Sequence, residues 1–516
     1  MSTALSSTEP VTAGRWAEVR RSFGDVGPLL RFRAAGLRGR SRRVAAMGLG
    51  LILTISVLAA WLPAYLPDTW RTEVLSLLPS ALVGVLLIAV ISAAASGGGR
   101  ELVPREEAVA YPITPMTDHL GALLMAPLNI AWLLQSWVLL GATAYVAEAR
   151  PGLVLSQLVV LVWLVTATAL AQVIGWGMEW LRRGPHGLWV TRGIIAVIAL
   201  GGAYVVSAGK VTALLNDSPT IEVTIASLSV AGGPTWRATA VVGVLLLTVV
   251  AAVAVGAWLA AAVVARPAKD ELRLESSSHQ ARPHPASDLV ALMRVDRVGI
   301  WRSVPLRRGL LVLALMPGLV AIAGDLQWDM LTILPGLVAS GGALLFGVNS
   351  WSLDGRGALW RDSLPTSPRL AFTSRALVLV EVLAVATGGT IVMASLRAGL
   401  PEASELAAVL CAGVVVIAQV VSASLRWSVH RPFSVDLRSA RATPAPPLVM
   451  VGYSARLALS TTMVGLFFSF LGRLSWEWPV LFAVPMLLLS AYRLTRTAGA
   501  WANPDTRCRV VATVAG

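Results

Sequence analysis

The chain has 516 residues, of which 56% are hydrophobic and only 14% are charged, and its net charge is +14. A soluble globular chain has nearer a quarter of charged residues, so this composition excludes an ordinary soluble protein. The apolar residues form blocks of roughly 20, which is long enough to cross a bilayer as helices. The alternating ten-residue strands typical of an outer-membrane barrel are not visible.

Apolar segments follow one another along the whole chain and predict an all-α polytopic membrane protein with about 12 transmembrane helices. The first six lie near residues 44–66, 74–95, 120–147, 153–180, 188–207 and 238–264. The second six lie near residues 309–324, 330–348, 374–396, 404–424, 448–471 and 478–493. Pro127 and Pro317 fall inside two of these segments and predict kinks, since proline removes a backbone donor.

The basic residues predict the orientation of the chain. Most of them fall in alternate connecting segments and in the two ends of the chain, as expected for cytoplasmic segments. The predicted outside loops hold only six of the 42, namely Arg71, Arg150, Lys210, Arg237, Arg397 and Arg473. We therefore expect both termini in the cytoplasm. The positive charge then reflects contact with anionic membrane lipids rather than nucleic acid.

Two features predict the compartment. Only two basic residues are lysines, and Ala, Gly and Val abound, which favours a bacterium of high genomic GC content and hence its plasma membrane. The first 43 residues are polar and Arg-rich, unlike a cleavable signal. The two cysteines, Cys411 and Cys508, give neither a disulfide framework nor the spacing of a metal site.

The chain has the pattern of an internal duplication. Two cytoplasmic elbows carry a Pro-x-x-Pro sequence, first with Pro112 and Pro115 and then with Pro365 and Pro368. Each elbow follows the second apolar segment of its half. We therefore predict two homologous six-helix halves, as in many transporters. Residues 1–43 are predicted to form a cytoplasmic tail with an amphipathic basic connecting helix, followed by a first transmembrane half at residues 44–264. A cytoplasmic linker with a second connecting helix covers residues 265–308. The second transmembrane half covers residues 309–493, and residues 494–516 form a cytoplasmic C-terminal tail.

Each elbow has two interpretations. Proline ends helices, so Pro-x-x-Pro alone is consistent with a plain turn. The paired occurrence favours a paired docking surface instead, with a short helix across residues 355–364 and another across residues 101–110. Ser367 and Thr114 are placed to cap the helices that follow.

The run "VNSWSLDGRGALWRDSLPTSPRLAFTSRALV" resembles the loop after the second span in permease subunits of type-2 ABC exporters. The resemblance covers residues 346–380 most clearly and residues 96–122 less so, because "YPITPM" lacks the arginine that follows Pro368. It implies that each elbow carries a coupling helix for an ATPase subunit. The residues it implies for coupling are Glu101, Arg105, Glu106, Pro112, Pro115, Asp354, Arg356, Arg361, Asp362, Pro365, Pro368 and Arg369.

The chain has no G-x-x-x-x-G-K-[ST] sequence with which to hold ATP phosphates. The resemblance therefore implies no bound cofactor and no ATPase activity in this chain. ATP and magnesium would bind to separate ABC ATPase subunits, two copies of which are expected. The implied function is export of a hydrophobic small molecule, such as an antibiotic, a drug or another natural product.

Polar and aromatic residues inside the spans suggest a transport pathway. The candidates for lining it are Glu381, Asn129, Gln135, Trp132 and Trp137. Each has a plainer interpretation, since Glu381 is able to pair with a neighbouring arginine and tryptophan most often packs in a core. If Glu381 instead relays ions, the chain is a 12-span secondary transporter driven by an ion gradient. A non-transporting membrane scaffold is a third possibility, and residues 208–237 form either an outer cap, a re-entrant helix or a surface loop.

Overall fold

A computed structural model gives the fold of this chain. It describes residues 21–22, 24–25, 27–29, 39–96, 114–128, 130–210, 213–214, 217–266, 283, 285, 287–324, 326–345, 347–355, 357–434, 445 and 447–515. Several predicted site residues lie outside these ranges, namely Glu101, Arg105, Glu106, Pro112, Asn129 and Arg356.

The described part of the first half consists of helices joined by short turns. Its helices are α1 (Gly39–Trp61), α2 (Arg71–Ser96), α3 (Pro115–Met125), α4 (Ile130–Ala147), α5 (Leu153–Arg182), α6 (Gly187–Ser207), α7 (Thr220–Ser229) and α8 (Trp236–Val264). A 3₁₀ turn at Ala126–Leu128 separates α3 from α4, at the kink predicted for Pro127.

The second half has the same character. Its helices are α9 (Asp288–Arg302), α10 (Val304–Ala323), α11 (Trp328–Leu331), α12 (Leu334–Leu345), α13 (Gly357–Asp362), α14 (Pro368–Ala398), α15 (Ala403–His430), α16 (Pro447–Gly472), α17 (Glu477–Ala502) and α18 (Pro504–Ala515). A 3₁₀ helix covers Gly347–Leu353. Pro317 lies within α10, which continues through it.

Seven helical segments are long and apolar enough to cross a membrane. They are Arg71–Ala94, Leu153–Arg182, Trp236–Val264, Trp328–Leu345, Pro368–Ala398, Ala403–His430 and Glu477–Ala502. Shorter apolar helices occupy the other segments that the sequence singled out, and no strand occurs in the part of the chain that is described. The protein is therefore an all-α membrane protein.

The predicted outside loop of residues 208–237 contains a packed helix. Helix α7 contacts α2, α5 and α8, and its Thr224 and Ala226 are buried. The Thr220 hydroxyl donates to the Pro79 carbonyl of α2 at 2.9 Å. The segment is therefore not a plain loop throughout, because α7 has a buried face that neighbouring helices cover.

The two halves meet through few helices. Helix α2 of the first half packs against α10, while α1 and α4 pack against α16. The largest buried cluster lies in the second half, where it joins the elbow to the ends of α15, α17 and α18. The elbow of the second half is thus anchored to a well-packed body.

Candidate functional site at the second elbow

The second elbow consists of a 3₁₀ helix, a turn and a short α-helix between two longer helices. The 3₁₀ helix Gly347–Leu353 leads through Gly355, at φ 49°, into α13. This left-handed conformation favours glycine, because a Cβ atom would crowd the backbone there. Helix α14 begins at Pro368, and the Ser367 hydroxyl accepts the Leu370 amide at 3.2 Å. Proline at the first helical position is favourable because its missing donor is not needed there.

The described end of the first elbow has the same local structure. Helix α3 begins at Pro115, and the Thr114 hydroxyl accepts the Thr117 amide at 3.1 Å. Both predicted caps are therefore present. The second proline of each elbow starts a helix, and the hydroxyl residue before it satisfies an amide that has no partner within the helix.

Behind α13 lies a buried cluster of two arginines and two aspartates, which we call the elbow ion cluster: Asp296, Asp354, Arg361 and Arg375. Arg361 Nη1 lies 2.5 Å from Asp296 Oδ1 and 3.0 Å from Asp354 Oδ1. Arg375 Nη2 lies 2.7 Å from Asp354 Oδ1 and 3.0 Å from Asp296 Oδ1. Each guanidinium thus contacts both carboxylates, and the four charges sum to zero.

The elbow ion cluster connects separate elements of the fold. Asp296 belongs to α9, Arg361 to α13 and Arg375 to α14, whereas Asp354 lies in the turn before α13. The Ser374 hydroxyl also donates to Asp296 Oδ2 at 2.6 Å. Arg375 in turn donates to a carbonyl of the 3₁₀ helix, that of residue 350, at 3.0 Å. These bonds fix α9, the elbow and the base of α14 relative to one another.

Because the cluster is buried, the pKa values of its members depend on the charges of their partners. The side chains of Asp296 and Arg375 are each 1% exposed. Burial by itself would raise the pKa of Asp296, but the positive charges of Arg375 and Arg361 and their hydrogen bonds lower it below its usual value. The two carboxylates likewise raise the pKa of Arg361. Both pKa shifts favour the charged forms of Asp296 and Arg361.

The end of the chain packs beneath the elbow. Trp351 of the 3₁₀ helix stacks on Trp501 at the end of α17, with ring centroids 3.8 Å apart and planes within 2°. Helix α18 contacts α13, and its Val510 is fully buried. Arg507 Nε donates to Asp362 Oδ1 at 2.8 Å. A small cleft opens where α13, α14 and α18 meet.

The opposite side of the elbow faces away from the protein. Leu359 and Trp360 of α13 are 60% and 64% exposed, and Pro365 and Arg369 are exposed as well. Two large apolar side chains on a short surface helix form a compact knob. Such an exposed apolar group, rimmed by polar residues, is typical of a site that contacts another protein or the membrane.

Three of the residues predicted for coupling form ion pairs within the protein. Arg361 was expected to face a partner, but its side chain is only 9% exposed and points at Asp296 and Asp354. Asp354 is 14% exposed for the same reason. Asp362 pairs with Arg507 of α18. For Arg361 the physical reason is that the buried Asp296 of α9 requires a counter-charge, and the elbow supplies it.

Asp296 is the important residue that sequence reasoning missed. Its helix position does contain a signal, because Leu292, Asp296 and Ile300 are spaced by four and share one helix face. Leu292 and Ile300 are 5% and 1% exposed. An aspartate between two buried apolar residues on the same face indicates a buried charge with a partner elsewhere.

The predicted pathway residues are held by neighbouring helices. Trp132 Nε1 donates to the Thr168 hydroxyl at 3.0 Å, and Trp137 Nε1 donates to the Ser56 hydroxyl at 2.8 Å. Both tryptophans therefore join helices, while Gln135 is half-buried on α4.

Glu381 has a partner. Its Oε2 lies 2.8 Å from Arg297 Nη2, and the two side chains are 42% and 41% exposed. This pair joins α14 to α9, next to the elbow ion cluster. It agrees with the interpretation of Glu381 as one member of a packing pair.

The described residues contain no group of three or more His, Cys, Asp or Glu that could hold a metal ion. Comparison with known proteins finds no matching family, no similar curated protein and no similar solved structure.

Proposed function

We propose that the chain is the membrane permease subunit of an ATP-driven ABC exporter, energised by a separate ATPase. The observation that carries the proposal is the two-sided second elbow. Its outer side exposes Leu359 and Trp360, and its inner side is fixed by the elbow ion cluster. This is the arrangement expected of a part that receives force from a partner and passes it on.

The path of the force follows from the contacts. A push on α13 reaches α9 through the Arg361–Asp296 pair. It reaches α14 through Asp354 and Arg375. Because α14 runs 31 residues from the elbow, a tilt at its base moves its far end. Packed helices that shift as rigid units are a common means of switching between conformations.

A 12-span plan with two homologous halves is part of the proposal. The matching caps at Thr114 and Ser367, and the matching prolines that follow them, support it. So does the place of each elbow directly before a helix that packs into its own half. Two halves related by duplication would offer one elbow each to an ATPase dimer.

The rest of the proposal follows from the resemblance and the charge pattern. Two ATPase subunits would bind ATP and magnesium beneath the two elbows. The chain would lie in a bacterial plasma membrane with both termini in the cytoplasm. The cargo would be a hydrophobic small molecule that is moved outward.

The alternative of an ion-driven transporter depends on Glu381. Its ion pair with Arg297 beside the cytoplasmic helix α9 gives it a structural role at the edge of α14. The exposed knob of the elbow has no role in that alternative. The geometry therefore favours the exporter.

The test is co-purification with the ATPase. The affinity-tagged chain is purified from its native host in mild detergent, and co-purifying P-loop ATPases are identified by mass spectrometry and assayed for ATP hydrolysis. The variant Leu359→Ala/Trp360→Ala removes the knob while leaving the elbow ion cluster intact. Trp478→Ala is the matched control, since Trp478 is also partly exposed but lies at the opposite end of the helices.

We expect wild type and the control to retain an active ATPase and the knob variant to lose at least about tenfold of it, because interface hot spots of this type contribute about 2 kcal/mol or more. If no ATPase accompanies the wild-type protein, the exporter proposal is wrong. If the ATPase is retained equally by all three proteins, the knob is not its binding site.

A further inference from the structure

An arginine lies deep within an apolar helix of the second half. Arg456 is in α16, nine positions after Pro447 at the cytoplasmic end and sixteen before Gly472. At a rise of about 1.5 Å per residue, it lies roughly 14 Å from one end and roughly 24 Å from the other. The sequence places this residue inside the predicted span of residues 448–471.

Arg456 is exposed on the surface of the protein. Within the described part of the chain it makes no ion pair and no hydrogen bond. This distinguishes it from the arginines of the elbow ion cluster, which contact two carboxylates each. A charge at such a depth without a counter-charge is strongly unfavourable in hydrocarbon, and arginines in this situation mark ligand or ion sites.

The face of α16 that carries Arg456 is mostly apolar, and its partly buried Ser460 donates to the carbonyl of Leu457 in the same helix. Toward the outer end it continues with the exposed side chains of Leu459, Met463, Leu466 and Phe470. Positions three, seven, ten and fourteen after an arginine lie on its own helix face. An adjoining face is buried against α12 and α15, where Tyr453, Leu457 and Phe468 lie. One face therefore combines a cation at its cytoplasmic third with an apolar stripe beyond it.

This helix also takes part in the contact between the two halves. Among the second-half helices, α16 packs against α1 and α4 of the first half. A ligand on α16 therefore lies beside the surfaces that must separate when two halves of a transporter change their relative position. Binding there would be sensitive to the conformation of the whole protein.

We propose that Arg456 binds the anionic group of an amphiphile whose apolar body lies along Leu459, Met463, Leu466 and Phe470. The guanidinium supplies charge-assisted hydrogen bonds to a carboxylate, phosphate or sulfate. The apolar stripe accepts an alkyl chain or ring system oriented toward the outer leaflet. The inference rests on the proposed function and deepens it, since it adds an acidic group to the hydrophobic cargo.

Two sources supply this chemistry, namely a free acidic amphiphile as cargo and an anionic phospholipid of the inner leaflet. Both place a negative group at Arg456 and apolar chains above it. The experiment separates them by the composition of the bilayer in which the protein is held.

The probe is 11-(dansylamino)undecanoic acid, and its methyl ester is the neutral counterpart. Binding is followed by dansyl fluorescence on the full chain in phosphatidylcholine nanodiscs at pH 8, where the acid is ionised. The variants are Arg456→Gln, which removes the charge, and Arg456→Lys, which keeps it. Arg192→Gln is the matched control, because Arg192 is also exposed but stacks on Trp189 near the cytoplasmic end of α6.

We expect the wild type to bind the acid at least about tenfold more tightly than the ester. Arg456→Gln should remove that difference without changing the affinity for the ester, Arg456→Lys should keep most of it, and Arg192→Gln should match wild type. Equal affinities of wild type and Arg456→Gln for the acid would overturn the proposal. Unchanged ester binding shows that the variant is folded.

The same titration in nanodiscs with added phosphatidylglycerol identifies the source. If this lipid weakens binding of the acid to wild type but not to Arg456→Gln, the resident occupant is an anionic lipid. If it has no effect, the site selects free amphiphiles and the cargo assignment stands. None of these binding measurements requires an ATPase. The ligand-site proposal and the exporter proposal can therefore fail separately.

Discussion

Replacing Asp296 by asparagine removes one of the two negative charges of the elbow ion cluster while keeping the shape of the side chain. Two buried guanidinium groups, those of Arg361 and Arg375, would then share the single carboxylate of Asp354. Asp296 is 1% exposed, so water does not compensate for the lost charge. Removing one partner of a buried ion pair costs about 3–5 kcal/mol because it leaves an uncompensated buried charge.

The effect should be local rather than global. Helix α13 has only six residues, and its inner side is held mainly by this cluster and by α18. A loss of about 3 kcal/mol in local stability corresponds to opening that is more than about a hundredfold more frequent. Amide hydrogen exchange detects such opening residue by residue, provided that reclosing is fast. We expect amides of α13 to exchange about a hundredfold faster in Asp296→Asn, and amides of α5 to be unchanged.

Glu381→Gln is the matched control. It also removes one acid from an ion pair between α9 and α14, but that pair is about 40% exposed. Exposed ion pairs contribute about 1 kcal/mol or less, so exchange in α13 should change by less than about fivefold. If Asp296→Asn and Glu381→Gln accelerate exchange in α13 equally, the elbow is not held by buried charge, and the elbow ion cluster is not the cause of its rigidity.

Three further predictions concern the same body of the protein. The folded-state pKa of Asp296 lies below its usual value of 3.8. Its contribution to the stability of the elbow is therefore complete at neutral pH, persists down to about pH 4 and is lost as the pH falls further through the folded-state pKa. Exchange of α13 amides, corrected for intrinsic rates, should be constant between pH 8 and pH 5. Trp501→Ala should leave an unfilled space against Trp351 and lower stability by about 3–5 kcal/mol, seen as a lower temperature of half-unfolding in detergent, with a smaller decrease in Trp501→Phe. Gly256→Val should separate α8 from α3, since even a Cβ would lie 2.4 Å from Cε1 of His119. Overpacking of this kind lowers stability by about 1–3 kcal/mol. Gly243→Val is the control and should leave stability unchanged, because Gly243 has open space around it.

The sequence predicted the class of fold because the membrane leaves few alternatives. A long apolar segment must be helical, and each segment singled out from the sequence contains one or more helices. The two elbow caps followed from local rules, since Ser367 and Thr114 stand directly before a proline that begins a helix. Local signals of this kind need no knowledge of the neighbouring helices.

The direction of the elbow charges could not be predicted in the same way. Arg361 lies on a six-residue helix, so either of its faces fits the sequence pattern equally well. Its orientation is decided by Asp296, which lies 65 positions earlier in the chain. Only the packing of α9 against α14 brings these residues together. The periodicity of the sequence therefore does not predict which distant residue a charged side chain contacts. An exception is an acid such as Asp296, which stands between buried apolar residues on one helix face.

The position of Arg456 shows the opposite case. Its depth in the predicted span of residues 448–471 can be seen in the sequence. Its exposure and its lack of a partner in the described structure required the fold. Depth alone does not separate a paired arginine from one that awaits a ligand, because a partner on another helix is invisible to the sequence.

The contrast between these arginines suggests how stability and function are divided in this protein. Apolar residues of similar volume are often as stabilising as a buried ion pair, so stability alone does not explain the elbow ion cluster. In the elbow ion cluster each arginine contacts both aspartates, and these contacts fix the positions of α9, α13 and α14 relative to one another. Apolar packing tolerates small sliding, whereas these hydrogen bonds do not. The elbow beneath a helix of 31 residues carries the proposed function. Arg456, which has no partner in the described part of the chain, carries the proposed ligand site.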